Sequence, residues 1–129
     1  MKRTVLSVAA GVVLAMLPAT AWASPGGLAG TWTSIDGDGS LQTLDITGSG
    51  KTAYSMVYFD ESATGACNGA PARVSGPGFV DGDVVVMFGT LVCLPGGNVF
   101  RSRFTLGYEY DPGTGTLTDS FGIVWYRTG

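Results

Sequence analysis

Turn-forming residues recur about every ten positions from residue 25 to residue 129, a spacing that few folds produce. Clusters of Gly and Asp at 36–39, 81–83 and 111–115 separate short runs rich in Val, Thr, Tyr and Phe. Short runs of this composition between regular turn signals are typical of antiparallel β structure. The sequence predicts strands at about 29–35, 40–48, 52–59, 72–80, 83–93, 99–110, 115–118 and 121–127.

The predicted fold class is all-β, a small antiparallel up-and-down barrel of seven or eight strands, with a β-sandwich as the alternative. Gly and Asp supply the positive φ angles that tight hairpin turns require, so consecutive strands should pair as a meander. A barrel of eight strands encloses either a filled core or one small ligand.

Alternation with a period of two indicates which side chains face the core. In 99–110 the inward set is Phe100, Phe104, Leu106, Tyr108 and Tyr110. The run 84–88 is apolar on both faces, so this strand should be central or covered. A small β domain needs its aromatic residues in the interior, and we expect the following there: Trp32, Tyr54, Tyr58, Phe88, Phe104, Tyr108 and Trp125.

The N-terminal segment has the pattern of a signal peptide. Lys2 and Arg3 precede an apolar run at 5–17, and small residues, Ala21 and Ala23, stand where signal peptidase requires them. The predicted organisation is a signal peptide at 1–23 and a single β domain at 24–129, with an uncleaved anchor as the alternative. The domain is expected to be secreted or periplasmic, without stable membrane association after cleavage.

Two cysteines, Cys67 and Cys93, are the whole complement of the chain. In an exported protein such a pair predicts a disulfide bond, which would tie two longer loops, near 60–71 and 94–98, together at one end of the molecule. A metal or redox pair is not favoured, because the sequence has no C-x-x-C spacing and no histidine.

The charge of the chain argues against nucleic acid as a partner. Without Lys2 and Arg3, five basic residues face ten acidic ones, a net charge of −5. Nucleic acids and anionic membranes bind clusters of Lys and Arg, and no such cluster occurs.

No catalytic or metal motif is complete, so we expect a non-enzymatic protein without a cofactor. The absence of histidine excludes a Ser-His-Asp triad, and Lys51 is the one lysine that could serve a Ser-Lys pair. Paired acids such as Asp60 with Glu61, or Asp81 with Asp83, could divide acid and base roles, but such residues usually face solvent.

The segment 36–40 has a calcium-like composition but does not match an EF-hand loop. Gly39 stands at loop position four rather than six, and position twelve is Thr47 rather than Glu. We therefore predict a turn there, with a weak calcium site of another type as the alternative.

Several residues are candidates for contacts with a ligand or partner. Arg101 and Arg103 lie two apart on one strand and could bind an anion, although a solvated face is the alternative. The loop from Asp60 to Arg73 is the best candidate for an interaction surface, because a disulfide would hold it rigid and thereby reduce the entropic cost of binding. A simple connector is the alternative.

The chain opens its first strand with Gly30-Thr31-Trp32 and ends its last with Trp125-Tyr126-Arg127. These ends resemble the calycins, the lipocalin and avidin-like barrels, in which a Gly-x-Trp lies on the first strand. In lipocalins an Arg of the last strand packs over that Trp, and Trp32 and Arg127 are the matching positions. The resemblance implies a closed barrel rather than a particular ligand. Residues 30–40 also resemble the start of uncharacterised exported bacterial proteins.

Two functions remain open on these residues. The first is an exported barrel that binds a small apolar molecule in its interior or a partner at its loop end. The second is a structural or inhibitory protein-interaction module that acts through the loops of Cys67 and Cys93. The sequence identifies neither the small molecule nor the protein partner.

Overall fold

The computed structural model describes residues 25–50 and 52–129. The predicted signal peptide and Lys51 lie outside the described residues. A short 3₁₀ helix at Pro25–Leu28 precedes eight strands and one helical turn. The elements are β1 Gly30–Ile35, β2 Leu41–Thr47, β3 Ala53–Asp60, α1 Thr64–Cys67, β4 Ala72–Asp81, β5 Val84–Cys93, β6 Asn98–Asp111, β7 Thr116–Asp119 and β8 Val124–Arg127.

The eight strands form a closed antiparallel barrel in which each strand pairs with its neighbours in sequence. The first and last strands close it, with Trp32 opposite Arg127 and Thr33 opposite Tyr126. The predicted all-β meander and the barrel are therefore confirmed, and the sandwich is not the fold adopted.

The hairpin turns explain why neighbouring strands pair. Gly82, between β4 and β5, has a φ of 64°, and Gly115, between β6 and β7, has a φ of 70°. Most residues with a Cβ avoid this left-handed region, so glycine is favoured at both positions. The turns occur where the sequence pattern predicts them, which fixes the strand order.

The barrel has two distinct ends. The first, the terminal end, carries residues 25–29 and 128–129, the β2–β3 connection and the turns at 82–83 and 112–115. The second, the loop end, carries the connections 36–40, 61–71, 94–97 and 120–123. The connection 61–71 contains α1, and residues 25–50 and 52–129 include no helix long and apolar enough to cross a membrane.

Large apolar side chains fill the barrel between these ends. Ten of them are the largest fully buried side chains of the described residues: Trp32, Trp125, Tyr108, Leu44, Ile46, Met56, Met87, Leu117, Val74 and Val85. Trp32 lies towards the terminal end, where its Nε1 donates to the Leu28 carbonyl at 3.0 Å. Burial of these side chains is the main stabilisation of the barrel.

Two expectations about the apolar pattern are wrong. Phe88 is 47% exposed, because the outward face of 84–88 points to solvent and is not covered by another element of the described chain. Phe100 is 50% exposed, because the register between β5 and β6 shifts at Gly89 and Leu91 and breaks the alternation of β6. A Cβ on Gly89 would lie 2.6 Å from the Ser75 carbonyl oxygen of β4, so β5 also packs tightly against β4 where this irregularity begins.

Candidate functional site

The inward side chains become polar at the loop end of the barrel. We call this group the polar mouth: Ser34, Gln42, Tyr58, Asp60, Tyr108 and Asp119. The register explains why they meet, since Gln42 lies opposite both Ser34 and Asp60, and Tyr108 lies opposite Asp119. All except Tyr58 are almost fully buried, so their hydrogen-bond partners decide what this end can do.

Gln42 has one satisfied and one unsatisfied polar atom. Its Nε2 donates to the hydroxyl of Tyr58 at 2.8 Å, whereas its Oε1 is buried without a partner among the described residues. Gln42 is only 4% exposed. A buried carbonyl oxygen without a hydrogen-bond donor lowers the stability of the fold by about 1–3 kcal/mol. A donor group from outside the described chain would recover this free energy by binding to Gln42 Oε1.

The hydroxyl of Tyr108 is the second buried polar atom without a partner in the described part of the chain. Burial raises the pKa of Tyr108 well above its ordinary value, and the nearby Tyr58 and Asp119 raise it further. Burial also raises the pKa of Tyr58, with added effects of Asp60 and Asp36. Both hydroxyls therefore stay protonated at neutral pH and can donate hydrogen bonds.

Asp119 organises the wall of the mouth. Its Oδ1 accepts hydrogen bonds from the backbone N–H groups of Phe121 and Ile123 at 2.9 and 3.0 Å, and its Oδ2 accepts one from Nε1 of Trp125 at 3.0 Å. These bonds fix the β7–β8 loop and the Trp125 ring together. The Trp125 ring then contacts Tyr58 and Tyr108, with centroids 6.0 and 5.8 Å away.

The rim of the mouth is acidic. Asp60 accepts hydrogen bonds from the Ser40 hydroxyl and the Ser62 backbone N–H, both at 3.0 Å. Burial, together with the charges of Asp60 and Asp38, raises the pKa of Asp36. Bonds from the Ser40 side chain and backbone lower the pKa of Asp38. No group of three or more Cys, Asp or Glu residues suited to a metal ion occurs within 25–50 and 52–129.

The predicted disulfide is formed and lies beside this rim. Cys67, at the end of α1, bonds to Cys93, at the end of β5, with Cα atoms 5.5 Å apart. The loop it holds is also fastened internally, because the Ala63 N–H donates to the Ala70 carbonyl at 2.9 Å and the Ser62 hydroxyl donates to the Gly69 carbonyl at 3.1 Å. The long loop is thus a fixed wall of the loop end.

The residues singled out from the sequence lie elsewhere on the barrel. Arg127 lies over the Trp32 ring near the terminal end, which is the contact that the calycin resemblance implies for these positions. Arg73, Arg101 and Arg103 are exposed on β4 and β6, outside the barrel. None of these five side chains belongs to the polar mouth.

The two predicted acid pairs lie at opposite ends of the barrel. Asp81 and Asp83 lie at the terminal end, in and beside the β4–β5 turn, whereas Asp60 is buried in the mouth and its neighbour Glu61 is exposed. The carboxylate that comes close to Asp60 is Asp36, from another loop. Sequence reasoning missed this approach because it depends on the β1–β2–β3 register.

The polar mouth had one signal in the sequence. Gln42 shares the inward face of β2 with Leu44 and Ile46, so the alternation places a polar side chain at an interior position. The pattern predicts Tyr58 and Tyr108 in the core, and it gives no signal for what their hydroxyls contact. No protein-family model, curated protein or solved structure matches this chain. Its function is therefore argued from the geometry of the mouth.

Proposed function

We propose that this chain is an exported, non-enzymatic barrel that binds a small molecule in the polar mouth. The observation that carries the proposal is the pair of buried polar atoms without partners among the described residues, Gln42 Oε1 and Tyr108 Oη. Tyr58 accepts the Gln42 bond, and the rings of Tyr58 and Tyr108 both contact Trp125, so the two atoms belong to one group of side chains. Buried polar atoms in native proteins are normally paired, so a bound molecule is the natural partner.

The chemistry of the mouth favours a ligand that is apolar in its body and polar at one edge. The edge needs a hydrogen-bond donor for Gln42 Oε1 and an acceptor for the protonated hydroxyl of Tyr108. The rings of Trp125, Tyr58 and Tyr108 lie beside these atoms. Tyr58 is the one of the three that is not fully buried, so the body of the ligand would pack against Tyr58 at the entrance of the mouth. A cation is not required, because the Asp119 carboxylate already accepts three hydrogen bonds.

Two independent features support the proposal that the protein is exported. The segment 1–23 has the pattern of a signal peptide, and Cys67 is bonded to Cys93. Disulfide bonds persist in oxidising compartments, so the proposed location is extracellular or periplasmic.

Native mass spectrometry of the protein from its own host's secreted or periplasmic fraction tests the proposal. We expect a retained small molecule. Tyr108→Phe should lower the affinity for it by about tenfold, since one hydrogen bond to a buried group is lost. Tyr126→Phe, a change on the outer surface, is the matched control and should retain the ligand. A bare chain in every preparation would contradict the proposal and leave an ordered water as the partner of these atoms.

The second candidate is a protein-interaction module that acts through the disulfide-tied loop. The observation that favours it is the fixed conformation of 61–71, which would lose little entropy on binding. Co-purification of one stoichiometric protein partner, lost when exposed Glu61 is changed to Lys and kept when Tyr108 is changed to Phe, would favour this function over a ligand in the mouth.

A further inference from the structure

The outward face of β4, β5 and β6 exposes aromatic residues to solvent. Phe79 is 50% and Phe88 47% exposed, and their ring centroids are 6.0 Å apart. Val86 lies directly opposite Phe79 in the register, and Pro77 is the next outward residue of β4. Contiguous apolar surface on a small protein usually marks a contact with another molecule.

Charges of opposite sign flank this apolar patch along β6. Glu109 lies on one side and Arg103 on the other, both exposed and six residues apart, a separation of about 20 Å along a strand. The midpoint between them falls between Gly107 and Thr105. These two residues pair with Val86 and Phe88 of β5, so along the strand direction the midpoint of the charges is level with the middle of the apolar patch.

Across the sheet, Phe79, Val86 and Gly107 form one row of residues, and Phe88 and Thr105 belong to the next. We propose that this face binds a second copy of the chain about a two-fold axis that crosses the strands between these two rows. Two surfaces that pack face to face are exchanged by an axis that lies in the interface. An axis in this position brings Glu109 of each copy against Arg103 of the other, twice in the dimer. It also lays the row that holds Phe79 on the row that holds Phe88, so the apolar residues cover one another.

A second copy fits this face because the face is complementary to itself. A partner of another sequence would need its own arrangement of one acidic and one basic group about 20 Å apart with an apolar centre. Within the described residues neither Arg103 nor Glu109 forms an ion pair, so both charges are available to a partner. Gly107 and Thr105 are small, which lets the β6 strands of the two copies approach each other at the axis.

Sedimentation velocity over a concentration series tests the dimer with protein produced from the full sequence. We expect a reversible dimer whose Kd rises by about thirtyfold or more in Phe88→Ser, as for an aromatic residue at the centre of an interface. Phe100→Ser is the matched control, because Phe100 is equally exposed but lies on the part of β6 beyond the register shift, and its Kd should be unchanged. Near-ultraviolet circular dichroism of the buried tryptophans checks that each variant folds.

Charge exchange distinguishes the proposed axis from other arrangements. Arg103→Glu and Glu109→Arg should each raise the Kd by about tenfold, because like charges then face each other. The double variant restores opposite charges at both contacts and should recover most of the wild-type affinity. Monomers at all concentrations up to about 0.5 mM, or a dimer that ignores these substitutions, would overturn the proposal and leave the face to a different partner.

Discussion

The guanidinium carbon of Arg127 lies 4.3 Å from the centroid of the Trp32 ring, where the last strand meets the first. Nη1 of the same guanidinium donates to the Ala29 carbonyl at 2.6 Å, and Nη2 donates to the Gly27 carbonyl. Trp32 holds the same segment from inside through its bond to Leu28. One stacked pair thus joins β1, β8 and the residues that precede the barrel.

Arg127→Lys should lower the free energy of unfolding by about 1–2 kcal/mol, because lysine cannot both stack on the indole and donate to two carbonyls. Urea unfolding followed by tryptophan fluorescence measures the change. Arg101→Lys is the matched control, since Arg101 is exposed and outside the closure. Equal midpoints for Arg127→Lys and wild type would show that the stacked pair does not stabilise the closure.

Asp119→Asn should destabilise the protein by about 2–3 kcal/mol, the usual range for losing hydrogen bonds to a buried charged group. In either orientation, the amide N–H₂ group of the variant side chain would face another donor, the N–H of Trp125 or the N–H groups of the loop, so at least one of these hydrogen bonds is lost. Asp111→Asn provides the comparison, because Asp111 is exposed at the end of β6 and, within the described residues, its Oδ1 accepts a single hydrogen bond, from the Gly113 N–H. Thermal unfolding of the two variants should differ clearly, and similar curves would contradict the role given to Asp119.

Removing the disulfide through Cys67→Ala and Cys93→Ala together should cost about 3.5 kcal/mol, from the loop closed by a separation of 26 residues. The double substitution avoids a free thiol. Urea unfolding under oxidising and reducing conditions makes the measurement. The free energy of unfolding of the wild type should fall on reduction, whereas that of the double variant should not change. An unchanged wild type would contradict a stabilising role of the disulfide.

The strand order could be predicted from sequence because the signals are local. Turn residues and alternation determine each hairpin, and seven of the eight predicted strands begin and end within one residue of the observed ones. The eighth begins at Val124 rather than residue 121, because Asp119 accepts bonds from a turn that occupies the residues before it. The exposure of Phe88 and Phe100 could not be predicted, since it depends on the register shift and on what covers the sheet.

The candidate site was predictable only in part, since its residues come from five strands. Cys67 and Cys93 follow from composition and compartment. The meeting of Gln42 with Tyr58 depends on pairing between β2 and β3, and the contact of Trp125 with Tyr58 depends on closure of the barrel. Such contacts are properties of register, which alternation alone does not fix.

The two tyrosines of the mouth should make stability depend on pH above about 10. Burial raises the pKa of both Tyr58 and Tyr108 in the folded protein, whereas phenols of the unfolded chain ionise near pH 10. Above that pH the unfolded chain releases protons that the native protein keeps, so the free energy of unfolding falls as the pH rises. The stabilisation is fully present below the unfolded pKa.

Replacing both residues with phenylalanine should remove this dependence. For each tyrosine the slope is at most about 1.4 kcal/mol per pH unit, so the wild type should lose up to about 2.7 kcal/mol per unit between pH 10 and 11.5. The double variant should not show this loss. Urea unfolding at a series of pH values gives the slopes, with Tyr126→Phe on the outer surface as the control. Parallel curves for the wild type and the double variant would mean that the two hydroxyls ionise in the native protein as easily as in the unfolded chain, and that the mouth is open to water.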